Sequence, residues 1–247
     1  MKKIFFILSL IILGCAIYLN LAYSHFFRVI GEKSLQNPTQ HIVTFIRPSY
    51  SSAELITYVA IGDSLTAGVG GKKSTDSYPY QLGVFLAKQK NKPIRVVNLA
   101  APAATTETVM TFQLPRLSEF KPQIVSVLIG TNDMHNHIPL PVFETHMRKI
   151  LTIAAHTGAK VYVFTIPYLG DTGLALPPYR SYFDWQIRRY NTIVRLVAKE
   201  SNTALIDLYT LTRKSEQEDW YYSPDLFHPS ADAYRLWSTI LYDYFDL

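Results

Sequence analysis

From residue 58 onward, short β-branched apolar runs alternate with longer stretches whose apolar residues recur at helical spacing. The runs at 58–61, 95–98, 124–129, 161–166 and 203–206 predict strands. The stretches at 78–90, 106–118, 142–157, 182–200 and 230–244 predict helices between and after them. Strict strand–helix alternation implies right-handed crossovers and a parallel sheet covered on both faces. The unbroken runs Ile124-Val125-Ser126-Val127-Leu128-Ile129 and Val161-Tyr162-Val163-Phe164 agree, because a strand buried on both sides has no need of polar alternation. Ligands of such sheets bind beyond the carboxyl ends of the strands.

The N-terminus has a different pattern. Lys2 and Lys3 precede an apolar run from Ile4 to Tyr23, interrupted by Ser9, Gly14 and Asn20. That is close to the roughly 20 residues a helix needs to cross a bilayer. With the lysines kept in the cytoplasm, the rest of the chain faces outward, although Arg28 and Lys33 reduce the asymmetry. An uncleaved signal anchor over 1–24 is the reading adopted, because apolar character continues past any plausible cleavage point. A lipoprotein signal is the alternative: Ile12-Leu13-Gly14-Cys15 resembles a lipobox, but Leu13 is bulky for its position and 16–22 is still largely apolar. A secreted, cleaved form and a buried core helix are the remaining readings. Residues 25–56, with Pro38, Pro48 and Ser51-Ser52, read as a linker whose β-branched run at 42–46 offers one edge strand. Residues 57–247 form a single domain.

Composition adds exclusions. A chain of 247 residues, less its leader, makes one domain of ordinary size. The net charge of +5 comes from scattered lysines and arginines without a basic stripe, which argues against a nucleic-acid partner. Cys15 is the sole cysteine, so no internal disulfide forms.

Candidate chemistry sits where the strands end. Gly62-Asp63-Ser64-Leu65 follows the first, Asn98-Leu99-Ala100-Ala101-Pro102-Ala103 the second and Gly130-Thr131-Asn132-Asp133 the third, while Asp225-Leu226-Phe227-His228-Pro229 stands near the C-terminus. Alone, Gly62-Asp63-Ser64 is as well explained by a capped turn, and Asp225 with His228 by a surface loop. A serine hydroxyl is a poor nucleophile unless a base lies within hydrogen-bond reach and a third group fixes the base's tautomer. His228 suits the base, and Asp225, three residues before it, suits the group that accepts its Nδ1 proton.

Together these segments resemble the four blocks of the SGNH (GDSL) hydrolase superfamily, in order and spacing, over about residues 58–244. The resemblance implies an α/β three-layer sandwich, flavodoxin-like, with a five-stranded parallel sheet in the order 2-1-3-4-5. It implies a serine ester hydrolase with catalytic Ser64, Asp225 and His228, and no cofactor or metal. It assigns the oxyanion hole to the backbone N–H of Ser64, a backbone N–H at Ala103 and the side-chain amide of Asn132. The second block departs from the family, since alanine at 103 replaces the usual glycine. A negative φ is predicted there; a positive one would count against Ala103 as a donor or against the alignment.

Other motifs fail on spacing. Gly70-Gly71-Lys72-Lys73-Ser74 is no Walker A loop, which would need glycine at Thr66 and serine or threonine at Lys73. Thr66 also breaks the Gly-x-Ser-x-Gly elbow of α/β-hydrolases. Asp133 reads as a cap, and His135 and His137, clustered without a distant further ligand, as polar lining or surface rather than metal ligands. The aromatic segment running from Tyr168 to Tyr179, with Tyr182, Phe183 and Trp185, suits either an acyl chain at the rim or plain core packing. Acyl esters or lysophospholipids are the first substrate reading. O-acetyl groups of a wall or extracellular polysaccharide are the second, and a membrane-anchored binding module without catalysis is the alternative from another class.

Overall fold

The structure, a computed structural model, describes residues 2–33, 42–46, 54–168, 174–215 and 218–245. Helix α1 (Lys2–Lys33) comes first, followed by β1 (Ile42–Ile46) and β2 (Ile56–Gly62). Then come α2 (Ser64–Ala67), α3 (Tyr78–Lys90), β3 (Ile94–Asn98), α4 (Thr106–Thr108), α5 (Leu117–Phe120) and β4 (Ile124–Leu128). The C-terminal half adds α6 (Thr131–His135), α7 (Leu140–His156), β5 (Lys160–Phe164), α8 (Tyr179–Glu200), β6 (Ala204–Ile206), α9 (Leu208–Thr212) and α10 (Ala231–Tyr242).

The sheet order is β1-β3-β2-β4-β5-β6. Its five parallel strands, β3-β2-β4-β5-β6, stand in the predicted order. The expected count of five is corrected to six, because β1 pairs antiparallel with β3, with Ile42 opposite Asn98 and Ile46 opposite Ile94. Fewer than ten residues separate β1 from β2, too few for the crossover that a parallel neighbour requires, so the added strand can only run the other way. The expected single helix at 106–118 is instead a broken one, passing through a π turn at Val109–Gln113 and a 3₁₀ turn at Leu114–Arg116.

Strand residues alternate between two cores. Val59, Ile61, Val125 and Val127 face the layer of α7 and α8, while Tyr58, Ala60, Ile124 and Leu128 face the layer of α3 and α10. Burial of β2 and β4 on both faces fixes their register, since a slip by one residue would exchange the two cores. β2 pairs in parallel with β3 and with β4, Gly62 lying opposite Leu128. The segments after these three strands therefore meet at one end of the sheet.

The linker expected from residue 25 is corrected in part: α1 continues unbroken to Lys33, past the boundary placed at residue 24. Its apolar run is exposed, but Ala22, Phe26 and Val29 are buried, at the i, i+4, i+7 spacing of one helix face. The rest of the expected linker, 34–41 and 47–53, lies outside the described residues, as does 169–173 of the aromatic segment.

Candidate active site

Ser64 opens α2 directly after β2. Asp63 caps that short helix, its Oδ1 accepting from Leu65 N–H at 3.0 Å, and Gly68 closes it in the left-handed conformation. Gln113, unremarked in the sequence, holds the end of β2 with both halves of its buried amide: Gly62 N–H donates to its Oε1 and its Nε2 donates to Gly62 O.

His228 lies on a loop held against this turn from several directions. Ser223 N–H donates to His228 O at 2.8 Å, Ser230 N–H to Tyr221 O at 2.7 Å, and Tyr222 bridges to Pro229. Asp225 Oδ1 gathers three donors, from Ser223 Oγ, Phe227 N and His228 N. These bonds hold Leu226 at φ 59°, a left-handed conformation that costs a side chain about 1 to 2 kcal/mol. Asp225 Oδ2 lies 2.6 Å from His228 Nδ1, and His228 Nε2 lies 2.9 Å from Ser64 Oγ. All three side chains are buried. A carboxylate facing Nδ1 keeps the proton there, so the Ser64 hydroxyl donates to Nε2. Burial alone would raise the Asp225 carboxyl, but the bonds from His228 and from the backbone N–H groups hold it below its ordinary value.

The loop needs a close neighbour without a side chain. Gly70 has φ 98°, and a Cβ there would stand 2.3 Å from Pro229 O and 2.9 Å from His228 Cβ. Gly70→Ala is therefore expected to displace the imidazole and lower kcat about 10- to 100-fold, with the larger change in kcat than in KM; steady-state kinetics on a soluble ester would show it.

The second and third blocks are tied to the first. Ala101 N–H donates to Gly62 O at 3.2 Å, and Asn132 Nδ2 donates to Ala104 O at 2.9 Å. Asp133, expected to cap its own helix, turns its side chain to the second block instead. Its buried carboxylate accepts from the N–H and hydroxyl of Thr106, which in turn meets His146 Nδ1, so it clamps the second block to the third. Burial, only partly offset by those bonds, raises its pKa.

Ala103 corrects an expectation: its φ is +61°, not negative. Ala104 N–H donates to Ala101 O at 3.1 Å, closing a turn with Pro102 second and Ala103 third. Proline fixes a negative φ at the second position, and a turn of this sign pattern requires a positive φ at the third, where glycine is usual. Ala103 is exposed, in the conformation a glycine would take. The argument for Ala103 as a donor is lost with that sign. Ala103→Gly is expected to stabilise the fold by about 0.5 to 1 kcal/mol, the relief of strain less the added freedom of glycine, visible as a small rise in Tm.

The histidines separate. His137 is exposed, whereas the half-buried His135 ring lies among Phe26, Phe27, Phe183 and Phe227, at centroid distances of 5.3, 6.4, 5.4 and 5.8 Å. Burial there, with the nearby His137, pushes its pKa down to about 4. Of the aromatic segment, Tyr168 and Phe183 are core residues, while Trp185 is 47% exposed.

A family model described as the GDSL-like Lipase/Acylhydrolase family matches residues 60–236. The chain belongs to this family. It is an SGNH-type esterase/lipase. Solved structures share the fold. TesA is 23% identical with a TM-score of 0.64, over 76% of this chain and 97% of that one. A lipase/acylhydrolase from Enterococcus faecalis is 23% identical (TM-score 0.59; 76% and 94% covered), and the acetylxylan esterase Axe2 from Geobacillus stearothermophilus is 20% identical (0.61; 77% and 95%). Among curated proteins no match is found.

The GDSL turn also holds a buried acid beside the serine. Asp63 is fully buried and its Oδ2 has no hydrogen-bond partner among the described residues; the Thr131 hydroxyl nearby is likewise unpaired among them and gives little help. Burial first, then repulsion from Asp133, push Asp63 up to about 7 against the bond from Leu65. Between about pH 4 and pH 7 the folded chain therefore keeps a proton that the unfolded chain releases, and stability falls as pH rises through that window. Asp63→Asn keeps the cap acceptor. It is expected to flatten this decline, which amounts to a few kcal/mol, in urea titrations at pH 5 and pH 8.

Proposed function

We propose that the protein hydrolyses carboxylic esters through an acyl-Ser64 intermediate, with His228 as base and Asp225 as its positioning partner. The observation that carries this reading is His228, bonded through one ring nitrogen to Ser64 Oγ and through the other to Asp225. In the first half-reaction Ser64 Oγ attacks the ester carbonyl carbon while its proton passes to Nε2. The resulting oxyanion is held by the Ser64 N–H group and by the Asn132 amide, whose second N–H is not needed for Ala104. Nε2–H then protonates the departing alkoxide. In the second half-reaction water gives a proton to Nε2 and attacks the acyl carbon; the bond to Ser64 Oγ then breaks as Nε2–H returns the proton to that oxygen, and the carboxylic acid leaves. Ionised Asp225 stabilises the imidazolium in both.

The aromatic rim at Tyr179, Tyr182 and Trp185 favours acyl esters and lysophospholipids over O-acetylated polysaccharide. Acetate specificity is the second reading, because acetylxylan esterases share the fold. The assembled Ser64, His228 and Asp225 count against a module that only binds. Helix α1, long and apolar enough to cross a membrane, is read as an anchor that keeps the domain outside the cell membrane. Rates on 4-nitrophenyl esters of two to sixteen carbons test the choice: activity rising beyond four carbons is expected, and activity confined to acetate would transfer the assignment to the second reading.

A further inference from the structure

Helix α1 is more than a tether. Its large apolar residues from Ile4 to Leu21 are exposed, as a lipid-facing surface would be, yet Ala22, Phe26 and Val29 are packed into the catalytic domain. Tyr18 Oη donates to Pro177 O at 2.8 Å. The Tyr23 ring lies 5.4 Å from that of Tyr179, and Phe26 lies 4.8 Å from Phe183 and 5.9 Å from Phe227. Phe227 is in turn 4.9 Å from the His228 ring. A continuous path of ring contacts thus runs from the helix to the base of the proposed triad. Removing the helix would uncover Phe183, Phe227 and the low-pKa His135 at once.

The contact also sets a height. Tyr18 precedes Tyr23, where the apolar run ends, by about 8 Å of helix rise. Its bond to Pro177 brings the start of α8 down beside the lipid-facing part of α1. Tyr179, Tyr182 and the exposed Trp185 follow within two turns, and amphipathic rings of this kind settle at the level of lipid headgroups. A domain hung from a flexible linker would leave such rings in water at no fixed distance.

We propose that the stretch of α1 from Tyr18 to Val29 is retained as a wall of the active-site mouth, so that the mouth opens onto the bilayer surface and takes an acyl ester whose chain lies in the membrane. This rests on the hydrolase reading above and names its substrate class: a bilayer lipid ester rather than an ester dissolved in water. Signal cleavage beyond Phe26 is incompatible with it. Processing at Cys15 would leave Tyr18, Ala22, Phe26 and Val29 in place.

The test uses the full chain in phospholipid nanodiscs. On a Cys15→Ser background, Tyr23→Cys with Tyr179→Cys is treated with a short bifunctional thiol reagent, and tryptic peptides are examined for the linked pair. Leu21→Cys, at a position 64% exposed, with Tyr179→Cys is the control. Linking at least fivefold above the control is expected, and equal linking would overturn the docking. In parallel, hydrolysis of a long-chain lysophospholipid in the disc is compared with that of 4-nitrophenyl acetate in water. The lipid-to-acetate rate ratio is expected to fall at least tenfold in Phe26→Asp and to hold in Phe26→Leu; an unchanged ratio in Phe26→Asp would overturn the substrate assignment. If Phe26→Asp does not fold, the linking experiment, done with Phe26 intact, decides the docking. Wild-type turnover of acetate without lipid would defeat this inference alone. Turnover of neither would defeat the hydrolase reading and the lipid assignment with it, leaving the docking to the linking result.

Discussion

Ser64→Ala is expected to lower kcat for ester hydrolysis about 10⁵- to 10⁶-fold while leaving the fold in place. Without Oγ there is no covalent intermediate, and the groups left behind, Asn132 and the N–H donors, can only stabilise direct attack by water. Removal of a nucleophile from a triad typically costs this much, since the triad works as a unit. The structural cost is small by comparison. Ser64 contributes one side-chain bond, to His228, and losing a bond of this kind costs about 1 kcal/mol. Burst kinetics and a urea titration on the same sample separate the two effects: a lost burst with a midpoint lowered by only about 0.5 M is expected, whereas activity within tenfold of wild type would be incompatible with the mechanism.

Asp225→Asn is expected to cost about 10³- to 10⁴-fold in kcat, although the side chains are nearly the same shape. Oδ1 already serves three donors, so the amide oxygen must stay there and the NH₂ group must face His228 Nδ1. A donor in that place forces the ring proton onto Nε2, which then cannot accept from Ser64. The variant should also change the acid limb of stability. Asp225 is held below its ordinary pKa in the fold, so it contributes stability above about pH 4, the unfolded value, and loses it as pH falls through the lower folded value. Wild type should therefore lose more stability than Asp225→Asn between pH 4 and pH 2, and parallel acid titrations by circular dichroism would show the difference.

The parallel sheet was legible because β2, β4 and β5 are apolar on both faces, and because helical spacing between them leaves only crossover connections. Three of the candidate segments were legible because reactive residue types sit where strands end; the fourth, in a loop, came from the spacing of Asp225 and His228 and from the resemblance. What was hidden is tertiary. Asp63 looks like any helix cap until the fold encloses it, and Gln113 like any helix residue until its amide is found on Gly62. Ala103 misled because a proline at the second position suits a turn with either sign of φ at the third, and the turn adopted here is the one that needs a positive φ whatever the residue. Ala22, Phe26 and Val29 could not be separated from the apolar run they extend; a docked face and a lipid-facing one are spelled with the same residues. Gly70, seen in the sequence only as a failed phosphate loop, makes room for His228.

The measurement that bears most directly on the central claim is peptide mass mapping after treatment with an alkyl fluorophosphonate, which phosphonylates a serine only where a base and an oxyanion hole activate it. One adduct per chain, on the peptide containing Ser64 and lost in His228→Ala, is the predicted result. A folded protein that hydrolyses esters yet carries no adduct on Ser64, or carries it on another residue, would contradict the account.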